Sequence, residues 1–133
     1  MLKRTVLEPA NEKLNVSRNF NLPHSPAIRV GDLIFVSGMV SVDPVTGDNK
    51  QGTLTEEATQ ILDNMRHLLE SNGSSLESVV KTTVVVYDML EFQNVNRVFQ
   101  KFFPKDPPAR TVCGARLSNG FKIEIEAVAV VER

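Results

Sequence analysis

Apolar residues recur at helical spacing in two stretches of the chain and at strand spacing in others. From Thr53 onward, Leu54, Ala58, Ile61, Leu62, Met65, Leu68 and Leu69 lie three and four apart, which is one stripe of an amphipathic helix. Thr53 with Glu56 reads as a capping box, and Gly73 as the C-cap. A second stripe of Phe92, Val95, Val98, Phe99 and Phe102 predicts another helix, opened by Asp88 with Glu91 and stopped by Pro104.

The remaining apolar runs have strand character. Ala27 to Val30 and Leu33 to Ser37 flank Gly31-Asp32, a hairpin pattern. Val79 to Tyr87 is β-branched almost throughout and reads as a central strand. Arg110 to Leu117 and Lys122 to Val131 read as two more strands around a Ser118-Asn119-Gly120 turn. Asp43 to Asp48 is a further turn, and Pro9 to Pro26, rich in Asn, Ser and Pro, reads as a surface loop. Helices that bury only one stripe belong on one face of a mixed sheet, so the fold class is α+β. The last strand then carries Ile123, Ile125, Ala127, Ala129 and Val131 on one side. Lys122, Glu124, Glu126, Val128 and Val130 lie on the other. An uncovered face that mixes valines with charges calls for a second copy of the chain.

Composition narrows the picture. At 133 residues the chain reads as one domain spanning 1–133. The net charge of −1, the absence of Trp and a single Tyr argue against a nucleic-acid partner, a ribonuclease included. No apolar run approaches the roughly 18 residues of a membrane span. One cysteine cannot form an internal disulfide, which fits a reducing, cytoplasmic setting. The basic N-terminus leaves a mitochondrial address open, against which Glu8 and Glu12 count.

Candidate chemistry is sparse. His24, His67 and Cys113 have no metal-ligand spacing, and neither a phosphate loop nor a dinucleotide fingerprint is present. No metal and no cofactor is expected. His67 lies off its helix stripe and reads as a surface residue. Cys113 reads as a small buried hydrophobe before a reactive thiol. Ser37 reads as a strand-end residue using its hydroxyl locally.

A reaction without metal, cofactor or activated nucleophile has to begin from an electrophilic carbon, and a protonated C=N qualifies. Arg110 can grip a carboxylate with its planar fork, and Glu124 or Glu126 can aim a water. Two readings of Arg110 stand side by side here: this anchor, or a structural ion pair with one of those glutamates. Glu126 reads more readily as a solvated or interface charge.

Pro108-Ala109-Arg110 followed by Ile123-Glu124-Ile125-Glu126-Ala127, with Val30-Gly31-Asp32, Val36-Ser37-Gly38 and Val80-Lys81-Thr82-Thr83-Val84, resembles the Rid (YjgF-type) reactive intermediate deaminase family from about Ala27 to the C-terminus. The resemblance implies a chorismate-mutase-like α+β fold, two helices on one face of a mixed sheet, and a homotrimer with ligand clefts between subunits. It also implies hydrolysis of 2-imino or 2-enamino acids to 2-oxo acids and ammonia, or, failing turnover, binding of small carboxylic acids. Some family members have been credited with ribonuclease or translation-inhibitor activity.

Carried over by position, Arg110 is the carboxylate anchor and Glu124 the residue of the hydrolytic water. Ser37 and Asn96 line the cleft, and His24 and Cys113 are counted with them as substrate-binding. The chain departs from archetypal members in placing His24 at the position of a tyrosine and Met39 after Ser-Gly in place of glutamine. It is also one residue shorter between Arg110 and Lys122, with Cys113 three residues past the arginine rather than two. Carboxylate binding is therefore the firmer expectation, and turnover of the archetypal substrate the weaker one.

Overall fold

Gly31, at φ 58, turns the chain between β2 (Ala27–Val30) and β3 (Leu33–Met39), the expected hairpin. These two strands belong to a six-stranded mixed sheet in a computed structural model that describes residues 2–133. The other strands are β1 (Arg4–Leu7), β4 (Val79–Val86), β5 (Ala109–Gly114) and β6 (Ile123–Val130), and the spatial order is β1-β2-β3-β6-β4-β5. Every neighbouring pair is antiparallel except β4 and β5, whose parallel pairing requires a crossover.

Helix α2 (Leu54–Glu70) begins at the expected capping box. The Glu56 amide donates to Thr53 Oγ1 at 3.1 Å and the Thr53 amide donates to Glu56 Oε1 at 2.9 Å. The helix ends at Glu70 with Ser71 as its cap residue, and Gly73 closes it as expected: at φ 78 it allows the tight turn in which the Ser74 amide reaches back to the Leu69 carbonyl. Helix α3 (Phe92–Phe102) supplies the β4–β5 crossover. Asp88 caps the 3₁₀ turn Met89–Glu91 that leads into it, accepting from the Leu90 amide at 2.9 Å. The two helices lie side by side on one sheet face. Ile61, Leu62 and Met65 of α2 and Val95 of α3 are sealed against Ile34, Val84, Ile123 and Ile125. Each such side chain contributes about 1.5–3 kcal/mol of burial.

Among the described residues no helix covers the other face. Leu33, Phe35 and Val80 are 40–46 % exposed there, while Val128 and Val130 are half-buried. No helix of the described residues is long and apolar enough to cross a membrane.

Four features differ from expectation. Arg4–Leu7 adds an edge strand to β2, with Arg4 opposite Val30 and Leu7 opposite Ala27. The stretch after it is not an open loop: it holds a 3₁₀ turn at Glu12–Leu14 and the short helix α1 (Val16–Asn19). Its asparagines act as caps, Asn11 accepting from the Lys13 amide and Asn15 from the Arg18 amide. His67 is not a free surface residue, because its Nε2 accepts the Asn11 amide at 2.9 Å and helps pin this segment to α2. The fifth strand stops at Gly114 instead of Leu117, since Gly114 pairs with Val86, the last residue of β4.

Candidate functional site

Arg110 enters from β5 on the helix-covered side, opposite the buried Thr82 of β4. Phe92, Asn96 and Phe99 lie one and two turns apart on α3, so one face of that helix meets the guanidinium. Its carbon lies 5.5 Å from the Phe92 ring centre and 4.9 Å from that of Phe99. Nη2 donates to Asn96 Oδ1 at 2.7 Å, and Asn96 Nδ2 in turn donates to Gln93 Oε1 at 3.3 Å. Burial lowers the Arg110 pKa from its ordinary value, yet a guanidinium stays charged throughout the working range.

Among the described residues no carboxylate lies within 4.0 Å of Arg110, so the ion-pair reading of this residue fails. Beside it opens a cleft of about 240 Å³ walled by Phe99, Gln100, Phe103, Pro107 and Pro108. The guanidinium is thus oriented by stacking and by one hydrogen bond, and the remaining donors of its fork have no carboxylate partner among the described residues.

A second cluster forms where β3 bulges between Val36 and Met39. The Glu124 carboxylate of β6 lies against Gly38: a Cβ added there would stand 2.6 Å from its Oε2. Only glycine leaves room for the acid in this position. Ser37 Oγ donates to the Ser25 carbonyl at 2.5 Å, and its amide donates to the Pro26 carbonyl at 3.1 Å. Its hydroxyl proton is therefore used locally, as expected. His24 is exposed and lines the rim of a groove with Glu8, Arg18 and Pro26.

These clusters do not meet within one chain. Glu124 pairs with Val85 on the open face, whereas Arg110 pairs with Thr82 on the helix face. They stand two strands across, about 9–10 Å, and three residues along, about another 10 Å, on opposite sides of the sheet. Within one chain, therefore, Glu124 does not sit beside Arg110. The expectation for Cys113 is corrected: it shares the open-face row of Val85 and Glu124 on the edge strand, and it is exposed instead of buried.

Sequence reasoning took Phe92 and Phe99 only as core, although their spacing around Asn96 marks one shared face. It also missed Glu57, whose fully buried side chain accepts from the Gly52 amide at 3.2 Å and the Lys122 amide at 2.9 Å. That contact fixes the entry to β6 two residues before Glu124. A glutamate one place before Ala58 on the apolar stripe was the available signal.

The geometry has close counterparts in known proteins. Residues 18–131 match the family model described as Endoribonuclease L-PSP. A RutC family protein (y4sK) of Sinorhizobium fredii is 43% identical over 80% of this chain and 85% of its own. The human 2-iminobutanoate/2-iminopropanoate deaminase is 40% identical over 81% of this chain and 80% of its own. The crystal structure of the YjgF gene product from E. coli superposes with a TM-score of 0.76 at 36% identity, covering 83% of this chain and 89% of that one. This chain belongs to the Rid (YjgF-type), or endoribonuclease L-PSP, family.

Proposed function

We propose that the protein hydrolyses reactive 2-imino or 2-enamino acids, adding water across C=N and releasing a 2-oxo acid and ammonia. The observation that carries this reading is Arg110: a half-buried, stacked guanidinium with one donor held by Asn96 and no carboxylate of its own chain to neutralise it. A planar fork left in that state suits a small organic anion. Glu124 is the group that orients the water. The name of the human relative, 2-iminobutanoate/2-iminopropanoate deaminase, supports the same substrate class.

Because Arg110 and Glu124 face opposite sides of the sheet, the working cleft lies between copies, Arg110 from one and Glu124 from its neighbour. The exposed apolar positions Leu33, Phe35 and Val80 on the open face support such an assembly, for which we favour a homotrimer. Ser37, Asn96, His24 and Cys113 complete the walls of this cleft.

The test is ammonia release from imines generated in situ. Arg110→Ala costs about 3–5 kcal/mol of transition-state binding, and Glu124→Gln lowers kcat by about 10²–10⁴. Co-refolding the two inactive variants restores about a quarter of the clefts, since random assembly pairs an intact arginine with an intact glutamate at that frequency. Full turnover by Arg110→Ala would refute the assignment. Failure of the mixture to recover would place both residues in one chain's site. Oxo-acid binding without ammonia release above the uncatalysed rate would leave a carboxylic-acid binding protein.

A further inference from the structure

His67 is half-buried near the end of α2, and the direction of one hydrogen bond fixes its state. The Asn11 amide donates to Nε2 at 2.9 Å. A ring nitrogen accepts only while it carries no proton, so this bond requires a neutral imidazole with its proton on Nδ1. Ser71, one turn on, completes the contact. Its hydroxyl donates to the His67 carbonyl at 2.7 Å, accepts from the Ala10 amide at 3.1 Å and stands 3.4 Å from the same Nε2. Two adjacent backbone amides of the N-terminal segment thus end on one ring nitrogen and on the hydroxyl beside it. The flanking pins contain no titrating group: Asn72 Nδ2 donates to the Glu8 carbonyl at 3.0 Å, and Asn11 Nδ2 to the Pro44 carbonyl at 2.8 Å.

Protonation reverses the polarity of this contact. An imidazolium donates from both nitrogens and accepts from neither. The Asn11 amide then faces another donor, and the acceptor within reach of Nε2, Ser71 Oγ, already serves Ala10. The surroundings do not compensate the new charge. On the N-terminal segment Glu8 is taken by Arg18 and Asn15, and Glu12 is exposed. On α2 Asp63 is taken by Arg66 at 2.8 Å, and Glu70 is exposed. Asp43, on the turn behind Asn11, accepts the Val45 and Thr46 amides. Among the described residues no carboxylate lies within 4.0 Å of the ring, while Lys13 and Arg66 add positive charge to the two elements that meet there.

We propose that His67 is a proton-operated latch on the N-terminal segment. With the ring neutral, residues 9–14 are closed on α2. When the ring takes up a proton, in the interval from about pH 8 to pH 5 where an imidazole changes charge, this stretch is released. The latch covers hydrocarbon: Pro9 and Leu14 are buried and line a cavity of about 60 Å³ with Val16, Met39, Val42 and Leu68. Release brings that surface into contact with water, which keeps the segment shut until the ring is charged. The same segment runs on to Ser25 and Pro26, whose carbonyls hold the Ser37 hydroxyl and amide. The latch therefore ties the support of the Ser37 corner to proton concentration.

The experiment follows hydrogen exchange of the Ala10 and Asn11 amides in the whole chain from about pH 8 to pH 5, corrected for intrinsic rates, with the ring read by nitrogen NMR. At the upper limit the neutral ring shows its proton on Nδ1; a proton on Nε2 overturns the latch. Toward the lower limit the protection of both amides falls about tenfold, the worth of a stranded donor, in step with the titration of the ring. His67→Gln keeps an acceptor and takes up no proton, and holds both amides protected across the interval. His67→Lys, a donor at every pH in it, leaves them open throughout. Constant protection in the unmodified protein down to the lower limit overturns the inference whether or not either variant folds. The same acid loosening in a folded His67→Gln does so too.

Discussion

Arg110 and Glu124 stand two strands apart on one sheet, and the protein holds them by different means. Arg110 is gripped from three directions, by two aromatic faces and an amide, all presented by a single helix. Such a fork loses little freedom on meeting an anion, so most of its interaction appears as affinity. Glu124 has no grip of that kind. It occupies a space that exists because Gly38 lacks a side chain, and its strand is set in place from below by Glu57. One end of the site is rigid through contacts made; the other is shaped by an atom left out. The proposed anchor should therefore tolerate disturbance of the β3–β6 end, while the proposed water-orienting end should fail when its backbone support shifts.

The largest test of that asymmetry is Glu57→Ala. Removing a fully buried carboxylate strands the Gly52 and Lys122 amides and deprives Lys122 Nζ of its partner at 3.7 Å. The expected loss is about 3 kcal/mol of folding stability, read from the denaturant midpoint. Amides of β6 should exchange faster than those of β5. Equal acceleration in both strands would mean that the two ends are not independently supported.

Gly38→Ala comes next. The backbone at 38 is ordinary for any residue, so the new methyl meets only Glu124, at 2.6 Å from Oε2 and 3.0 Å from Cδ. The flexible acid swings aside, and kcat falls about 10- to 50-fold with little change in Tm. Unchanged kcat would remove Glu124 from the water-orienting role.

Asn96→Ala acts on the other end and is milder. It removes the 2.7 Å bond to Nη2 but leaves Arg110 stacked on Phe92 and Phe99. KM for the imine should rise about tenfold, the worth of one charged hydrogen bond, with kcat nearly constant. A drop in kcat that matched the rise in KM would show that the aromatic faces do not aim the fork by themselves.

How much of this was readable from the residues divides along physical lines. The stripes of α2 and α3 and the Gly31-Asp32 hairpin were legible because each is a local pattern with one period and one stop signal. The strand Arg4–Leu7 was not, since its residues are largely exposed and it exists only by pairing with β2. The end of β5 was misjudged because β4, and not β5 itself, sets where pairing stops. Alternation along a strand tells which of its residues share a face, but which face depends on register with a neighbour. The pairings of Thr82 with Arg110 and of Val85 with Glu124 separate the two site residues, and no spacing within either strand contains that information. The exposure of Cys113 has the same origin.

The smallest effect distinguishes the two helices behind the site. Glu56 is held below its ordinary carboxyl value of 4.5 by the Thr53 amide and then by the Thr53 hydroxyl. A carboxyl whose folded pKa is depressed contributes stability that is whole above the unfolded value and disappears as pH falls through the folded one. Acidification below about pH 4.5 should therefore loosen the first turn of α2, the turn that carries Glu57 and through it the Glu124 end. Helix α3, whose N-cap residue makes no side-chain hydrogen bond, has no such cap to lose. Amide exchange at 54–57 should quicken between about pH 5 and pH 3 after correction for intrinsic rates, with α3 amides steady. Glu56→Gln, which keeps an acceptor on the Thr53 amide but has nothing to protonate, should abolish that pH response while lowering Tm by only a few degrees. Should the response survive in Glu56→Gln, the capping box is not what ties this turn to proton concentration, and the difference between the two ends has another source.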